Sequence, residues 1–472
     1  MINSAKLILP ALRARPDGSF AHESPAIEGA LALGVGGFIV FGGQAASVRA
    51  LTTDLVRRAG RRLLLASDLE RGAGQQVAGL SELPPPGALG WLGDLGVVRW
   101  AGALTASEAR SVGLNWVFAP VADLDVLPVN PIVQTRAFGS DSAAVAACVT
   151  SWIEGCEGAG ALACAKHYPG HGRTAVDSHV AVPSVDVSEG VLAAEDERPF
   201  AAAVAAGVAS VMTAHVAFPA LDAERRPATF SPLIIERLRR LGFDGVAVTD
   251  ALIMGGAQSR GVGDGAVEAL LAGVDLLLYP DDPPAVAAAL TDAVRNGRLS
   301  AERLAQAHRR YETALEKAGR PATANPVGPY ATTDEIADAL LDRGLVRGSV
   351  RRLTRPIELV SIDDDLGGPY PPSPADYLGE RLKERGFLGA GGSRIVLAFA
   401  EPRGWKGRAG FGEDARRALA REAPTADLVL LFAHPRLVAD IPGSAPVLLA
   451  WHRQRLMQEA GARWIAGRLR ER

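Results

Sequence analysis

Ala161-Leu162-Ala163-Cys164-Ala165 runs directly into Lys166-His167-Tyr168-Pro169-Gly170-His171-Gly172, and Asp177-Ser178-His179 follows shortly after. The apolar run reads as a buried strand. Beyond it the hydrophobic periodicity stops while Gly, Pro and polar residues accumulate, as in a loop that carries function. Three histidines and an aspartate crowd into this one segment, so chemistry is expected here first.

Outward from this strand, similar apolar runs alternate with Ala- and Arg-rich helical stretches, the pattern of repeated βα units. Eight candidate strands are Lys6 to Leu9, Gly37 to Phe41, Leu63 to Ser67, Asn115 to Ala119, Leu162 to Ala165, Ala209 to Thr213, Gly245 to Thr249 and Asp275 to Tyr279. The intervening segments are long enough for crossover helices, Glu189 to Ala206 among them. Eight units predict an α/β fold built on a closed (β/α)8 TIM-like barrel. Asp68, Asp123, Lys166-His167, His215 and Asp250 each follow the C-terminal end of a predicted strand. That rim is where barrels build their active sites.

The 472 residues accommodate a barrel of roughly 250 residues or more and a second domain. The expected division is a catalytic barrel over 1–320, a linker over 321–335, and a smaller C-terminal α/β layer domain over 336–472. In the last, helical Asp334 to Leu345 precedes strand-like runs Ile357 to Ile362, Arg394 to Phe399, Asp427 to Phe432 and Ala445 to Trp451. No cluster of histidines and carboxylates is visible there, and His434 and His452 read as strand-end packing. A net charge of -3 gives no basic footprint for nucleic acid or an anionic membrane surface. Cys148, Cys156 and Cys164 are too few and wrongly spaced for a disulfide framework or a four-thiolate zinc site. Met1 to Pro10 has the look of a first strand and not of a signal peptide, and no apolar run is long enough to span a bilayer. A cytoplasmic protein is expected; oligomeric state is not legible.

Val246-Ala247-Val248-Thr249-Asp250 is a buried run that delivers a carboxylate to the barrel mouth. Asp177 and His179, two apart in a loop, form a candidate acid/base pair in which the carboxylate orients the imidazole. Retaining glycoside cleavage requires a carboxylate nucleophile and a proton donor that later acts as a base. Asp250 and His179 satisfy those two roles. The structural alternatives are a helix N-cap for Asp250 and a turn cap for Asp177.

With these residues together, the sequence resembles glycoside hydrolase family 3, in its β-N-acetylglucosaminidase branch of peptidoglycan-recycling type. KHYPGHG followed by DSH carries the resemblance, which covers most of the barrel. It implies His179 as acid/base, Asp177 as its partner and Asp250 as the nucleophile that forms a glycosyl-enzyme. It also implies sugar contacts from Asp68 in SDLERG, Arg136 in TRAFG, Lys166, His167 and Met254, with His215 touching sugar or supporting Asp250 or Lys166; His171 is expected to hold the loop. The implied substrate is a small saccharide with a terminal β-linked N-acetylglucosamine, cleaved without cofactor or metal. Two departures stand out: Arg71-Gly72-Ala73 replaces the family's Gly-Gly after Glu70, and Ala251 stands where many members carry a second Asp.

Three other enzymes could use parts of this pattern. A metal-dependent barrel hydrolase would draw on His167, His171, His179, His215 and Asp250, but none of the first four predicted strands ends in a histidine. A β-glucosidase-like enzyme would take its acid from the C-terminal domain, where Glu401 and Glu413 are the candidates. A phosphorolytic family 3 enzyme would resolve the same covalent intermediate with phosphate. A degenerate, sugar-binding barrel is disfavoured because every chemical role is filled.

Overall fold

The computed structural model describes residues 3–176, 182–258, 261–323, 328–350, 352–367, 372–403 and 406–470. It separates into two compact units: residues 1–81, 94–127 and 137–328 form the first, and residues 82–93, 128–136 and 329–472 the second.

The first unit is the barrel. Its strands are β1 (Ile8–Leu9), β2 (Ala11–Arg13), β3 (Gly37–Phe41), β4 (Leu64–Ser67), β5 (Trp116–Val117), β6 (Leu162–Tyr168), β7 (Ser210–Thr213), β8 (Val246–Thr249) and β9 (Leu277–Leu278). β2 to β8 pair in sequence order, all parallel. The ring closes because Val248 bridges Leu276 and β9 pairs with β1. β1 and β2 are one strand interrupted at Pro10, which has no N–H to donate; its carbonyl still accepts from Ile39. The expected first strand therefore begins two residues late, since Ser4–Leu7 is a 3-10 turn.

Strand interiors are continuously buried, as a sheet covered on both faces requires. Outside it, helices Leu95–Ser111 and Ser142–Gly158 approach so closely that a Cβ at Gly155 would lie 1.9 Å from the Arg99 carbonyl oxygen. The helix expected over Glu189 to Ala206 is interrupted by a π turn at Leu192–Asp196. A Tyr168–Glu197–Arg237 hydrogen-bonded chain runs beside that turn.

The second unit carries a five-stranded sheet in the order Leu345–Arg347, Val447–Leu449, Leu428–Ala433, Ser393–Ala400, Ile357–Asp363. The first pair is antiparallel and the others are parallel. Helices Thr333–Arg343 and Tyr377–Glu384 both pack against Arg455–Ala466. Segments 82–93 and 128–136 interrupt the first unit and join this one, which no single boundary along the chain anticipates. Among the described residues no helix is long and apolar enough to cross a membrane.

Candidate active site

Because all the barrel strands are parallel, residues at their C-terminal ends meet at one rim. Asp68 follows β4, and Lys166 and His167 lie within β6, not in the loop after it. The strand extends past Ala165 because backbone pairing continues: Lys166 donates its N–H to the Pro120 carbonyl, and the Tyr168 carbonyl accepts from Ala214. A charged residue inside a buried strand must be neutralised. Lys166 Nζ lies 2.8 Å from Asp68 Oδ1 and 2.7 Å from Glu70 Oε1. The side chains of Lys166 and Glu70 are 3% and 6% exposed while that of Asp68 is 32%, so Asp68 is the most open of the three to an incoming molecule. Glu70 is not singled out by the sequence, where an acid three residues past a strand end reads as a solvated loop group.

Asp123 is fully buried and organises the neighbouring histidines. Its Oδ1 accepts the backbone N–H of His167 (3.1 Å) and of His171 (2.7 Å), and its Oδ2 sits 2.7 Å from His167 Nδ1. Burial works to raise its carboxyl, but the facing His167 and His171 outweigh that and hold it below the ordinary carboxylate range. His167 is thereby oriented with Nδ1 inward. His171 Nδ1 lies 2.8 Å from the Thr174 hydroxyl, consistent with the expected loop-holding role. Gly172 fits the same packing: a Cβ there would lie 1.9 Å from the Leu124 carbonyl oxygen.

Desolvation pushes the His171 imidazole down to about 4, against the pull of Asp123. Its folded value lies below its unfolded one, so the unfolded chain binds the proton first as pH falls. Stability from this group is complete above about 6.5 and declines until about 4, for a loss on the order of 3 kcal/mol. Urea midpoints of the wild type should fall over that window, and those of His171→Gln should fall less steeply; equal slopes would show that His171 does not set the dependence.

Asp250 follows β8 directly, and its Oδ1 accepts the N–H of Ala251 at 2.7 Å. It caps no helix, since the next begins at Gly255. Its charge acts on both His171 and Cys164, which sets it within the same cluster. His215, after β7, is fully buried; its Nδ1 lies 2.9 Å from the Thr229 hydroxyl and its Nε2 3.2 Å from the Ala251 carbonyl. Met254 is buried, with its N–H on the same Ala251 carbonyl. Asp177 and His179 lie outside the described residues. Arg136 belongs to the second unit, where its guanidinium donates to the Ile132 carbonyl at 3.2 Å.

The second unit corrects one expectation, because a charged cluster does gather at the C-terminal ends of its sheet. Arg453 bonds Asp363 and Asp365, Lys406 pairs with Asp364 and Asp365, and His452 Nε2 lies 2.8 Å from Glu401 Oε1. Its members come from separate strand ends, so no single stretch of sequence displays it. His452 Nδ1 accepts from the Gln454 N–H at 3.1 Å, which commits both ring nitrogens to packing. Glu413, the other acid considered there, is 88% exposed at the start of a surface helix. Among the described residues no group of three or more His, Cys, Asp or Glu is arranged to hold a metal ion.

Residues 26–314 match the model of the glycosyl hydrolase family 3 N-terminal domain. A β-hexosaminidase of Chromobacterium violaceum is 38% identical over 272 residues, covering 54% of this chain and 75% of that protein. A β-N-acetylglucosaminidase/β-glucosidase of Cellulomonas fimi is 34% identical over 294 residues, 58% of this chain; the match spans about half, 51%, of that relative. A family 3 β-N-acetylglucosaminidase of Paenibacillus sp. str. FPU-7 superposes with a TM-score of 0.85 at 28% identity, covering 99% of this chain and 97% of that one. The rim just described thus lies within the matched span, and the chain belongs to glycoside hydrolase family 3.

Proposed function

We propose that the protein is a β-N-acetylhexosaminidase that releases terminal β-linked N-acetylglucosamine from small saccharides by a two-step retaining mechanism. The observation that carries this reading is the convergence on one rim of the Asp250 carboxylate, the Asp68–Lys166 pair and the Asp123-oriented His167. The names of the Chromobacterium and Paenibacillus relatives support the choice of sugar.

In this reading Asp250 attacks the anomeric carbon while His179, partnered by Asp177, protonates the departing oxygen; the same imidazole then draws a proton from water as the glycosyl–aspartyl bond breaks. Asp68, Lys166 and His167 hold the sugar hydroxyls, and such contacts contribute most where they tighten in the transition state. Arg136 and Met254 are assigned to sugar binding by motif. Three buried free thiols agree with a reducing, cytoplasmic setting.

The decisive measurement is intact-protein mass after exposure to a fluorinated N-acetylglucosaminyl donor: a single stable adduct mapping to Asp250 is expected, and an adduct elsewhere would refute the assignment. His179→Ala should slow substrates with poor leaving groups by roughly 10²-fold or more while sparing activated aryl glycosides, which need little proton donation. Equal losses on both classes would remove His179 from the acid role.

A further inference from the structure

His215 shares the rim's strand ends and is fully buried. A carbonyl oxygen only accepts, so the 3.2 Å contact between His215 Nε2 and Ala251 means that Nε2 donates there. The other nitrogen is fixed by the Thr229 hydroxyl, itself 2.9 Å from the Thr213 hydroxyl, which also lies 3.1 Å from the Val248 carbonyl. Phe230 lies parallel to the imidazole, 5° between planes and 6.1 Å between centroids. Ala251, in turn, turns its own N–H onto Asp250 Oδ1. The two peptide units flanking the Ala251 α-carbon are thus tied at opposite ends, one by His215 and one by the Asp250 carboxylate.

We propose that His215 is a positioning residue for Asp250: through the Ala251 carbonyl it fixes the backbone that sets the direction of the carboxylate, and it makes no contact with substrate. The inference rests on the reading of Asp250 as the nucleophile. Misplacing a reacting atom by about 1 Å costs on the order of 10²-fold in rate, so loss of this bond registers in formation of the glycosyl–aspartyl bond and not in sugar affinity. Ala251 gives the arrangement its importance, because the residue after Asp250 has no hydrogen-bonding side chain of its own with which to hold the turn.

The test compares two amides of the full-length protein. His215→Gln can place its NH2 group where Nε2 stands; the shorter His215→Asn reaches only the place of Nδ1. With the fluorinated donor, His215→Asn should label Asp250 about 10- to 100-fold more slowly than wild type, and His215→Gln should recover most of the rate. The loss should be the same for activated and poor leaving groups, and the inhibition constant of free N-acetylglucosamine should stay within about twofold of wild type, as for a group that leaves ground-state binding intact. Equal labelling rates for wild type and both variants, or equal losses in the two variants, would overturn the proposal. So would a weakening of sugar affinity that parallels the rate, which marks a substrate contact. A wild-type adduct on a residue other than Asp250 would overturn the nucleophile assignment and this inference together; an adduct on Asp250 with indifferent variants sinks the inference alone.

Discussion

Asp250→Ala should reduce kcat by about 10⁴-fold or more, the scale on which loss of a covalent nucleophile is felt when the rest of a site survives. The fold should tolerate the change. Asp250 accepts the N–H of the adjacent Ala251 and caps no helix, so no secondary-structure end depends on it. Unfolding midpoints within about 1 kcal/mol of wild type are expected, together with an unchanged inhibition constant for N-acetylglucosamine. Residual turnover within tenfold of wild type would mean that another group forms the bond.

Lys166→Met is expected to damage both stability and activity. The ammonium is buried between Glu70 and Asp68, so its removal leaves two carboxylates facing each other, one with almost no access to water. Removing one partner of a buried ion pair typically costs about 3 to 5 kcal/mol. The urea midpoint should fall accordingly, and Glu70 should take up a proton on folding. Adding Glu70→Gln removes one of the stranded charges, so the double variant should regain a good part of the lost stability. Activity should stay low in both, because the cation assigned to the sugar in the proposed mechanism is still missing. If the double variant is no more stable than the single, Glu70 is not the counter-charge that keeps Lys166 buried.

The relation between sequence and site follows from these pairs. Apolar runs ending in a charged residue located β4, β6 and β8 and with them Asp68, Lys166 and Asp250. A run of four or more buried residues has one dominant explanation when a polar group terminates it. Partnerships across the barrel were not legible: Asp123 meets His167 44 residues away, and Glu70 meets Lys166 from another strand. Neither pairing leaves any local periodicity. Pro10 hid half of the first strand, and the π turn within the Glu189 to Ala206 segment leaves helical spacing unchanged over so short a length. The charged cluster of the second unit escaped for the same reason as Glu70, since it is assembled from the ends of strands far apart in the chain.

The segments 82–93 and 128–136 also impose a timetable on synthesis. Within the second unit, the Leu83 carbonyl accepts from Gln454, 371 residues further on, Glu82 bonds the Leu456 N–H, and Arg436 donates to the Pro128 carbonyl. At ribosomal rates of about 5 to 20 residues per second, the first of these segments emerges roughly 20 to 70 s before its partners exist. Trp91 and its neighbours therefore spend that interval without their final packing against Trp451.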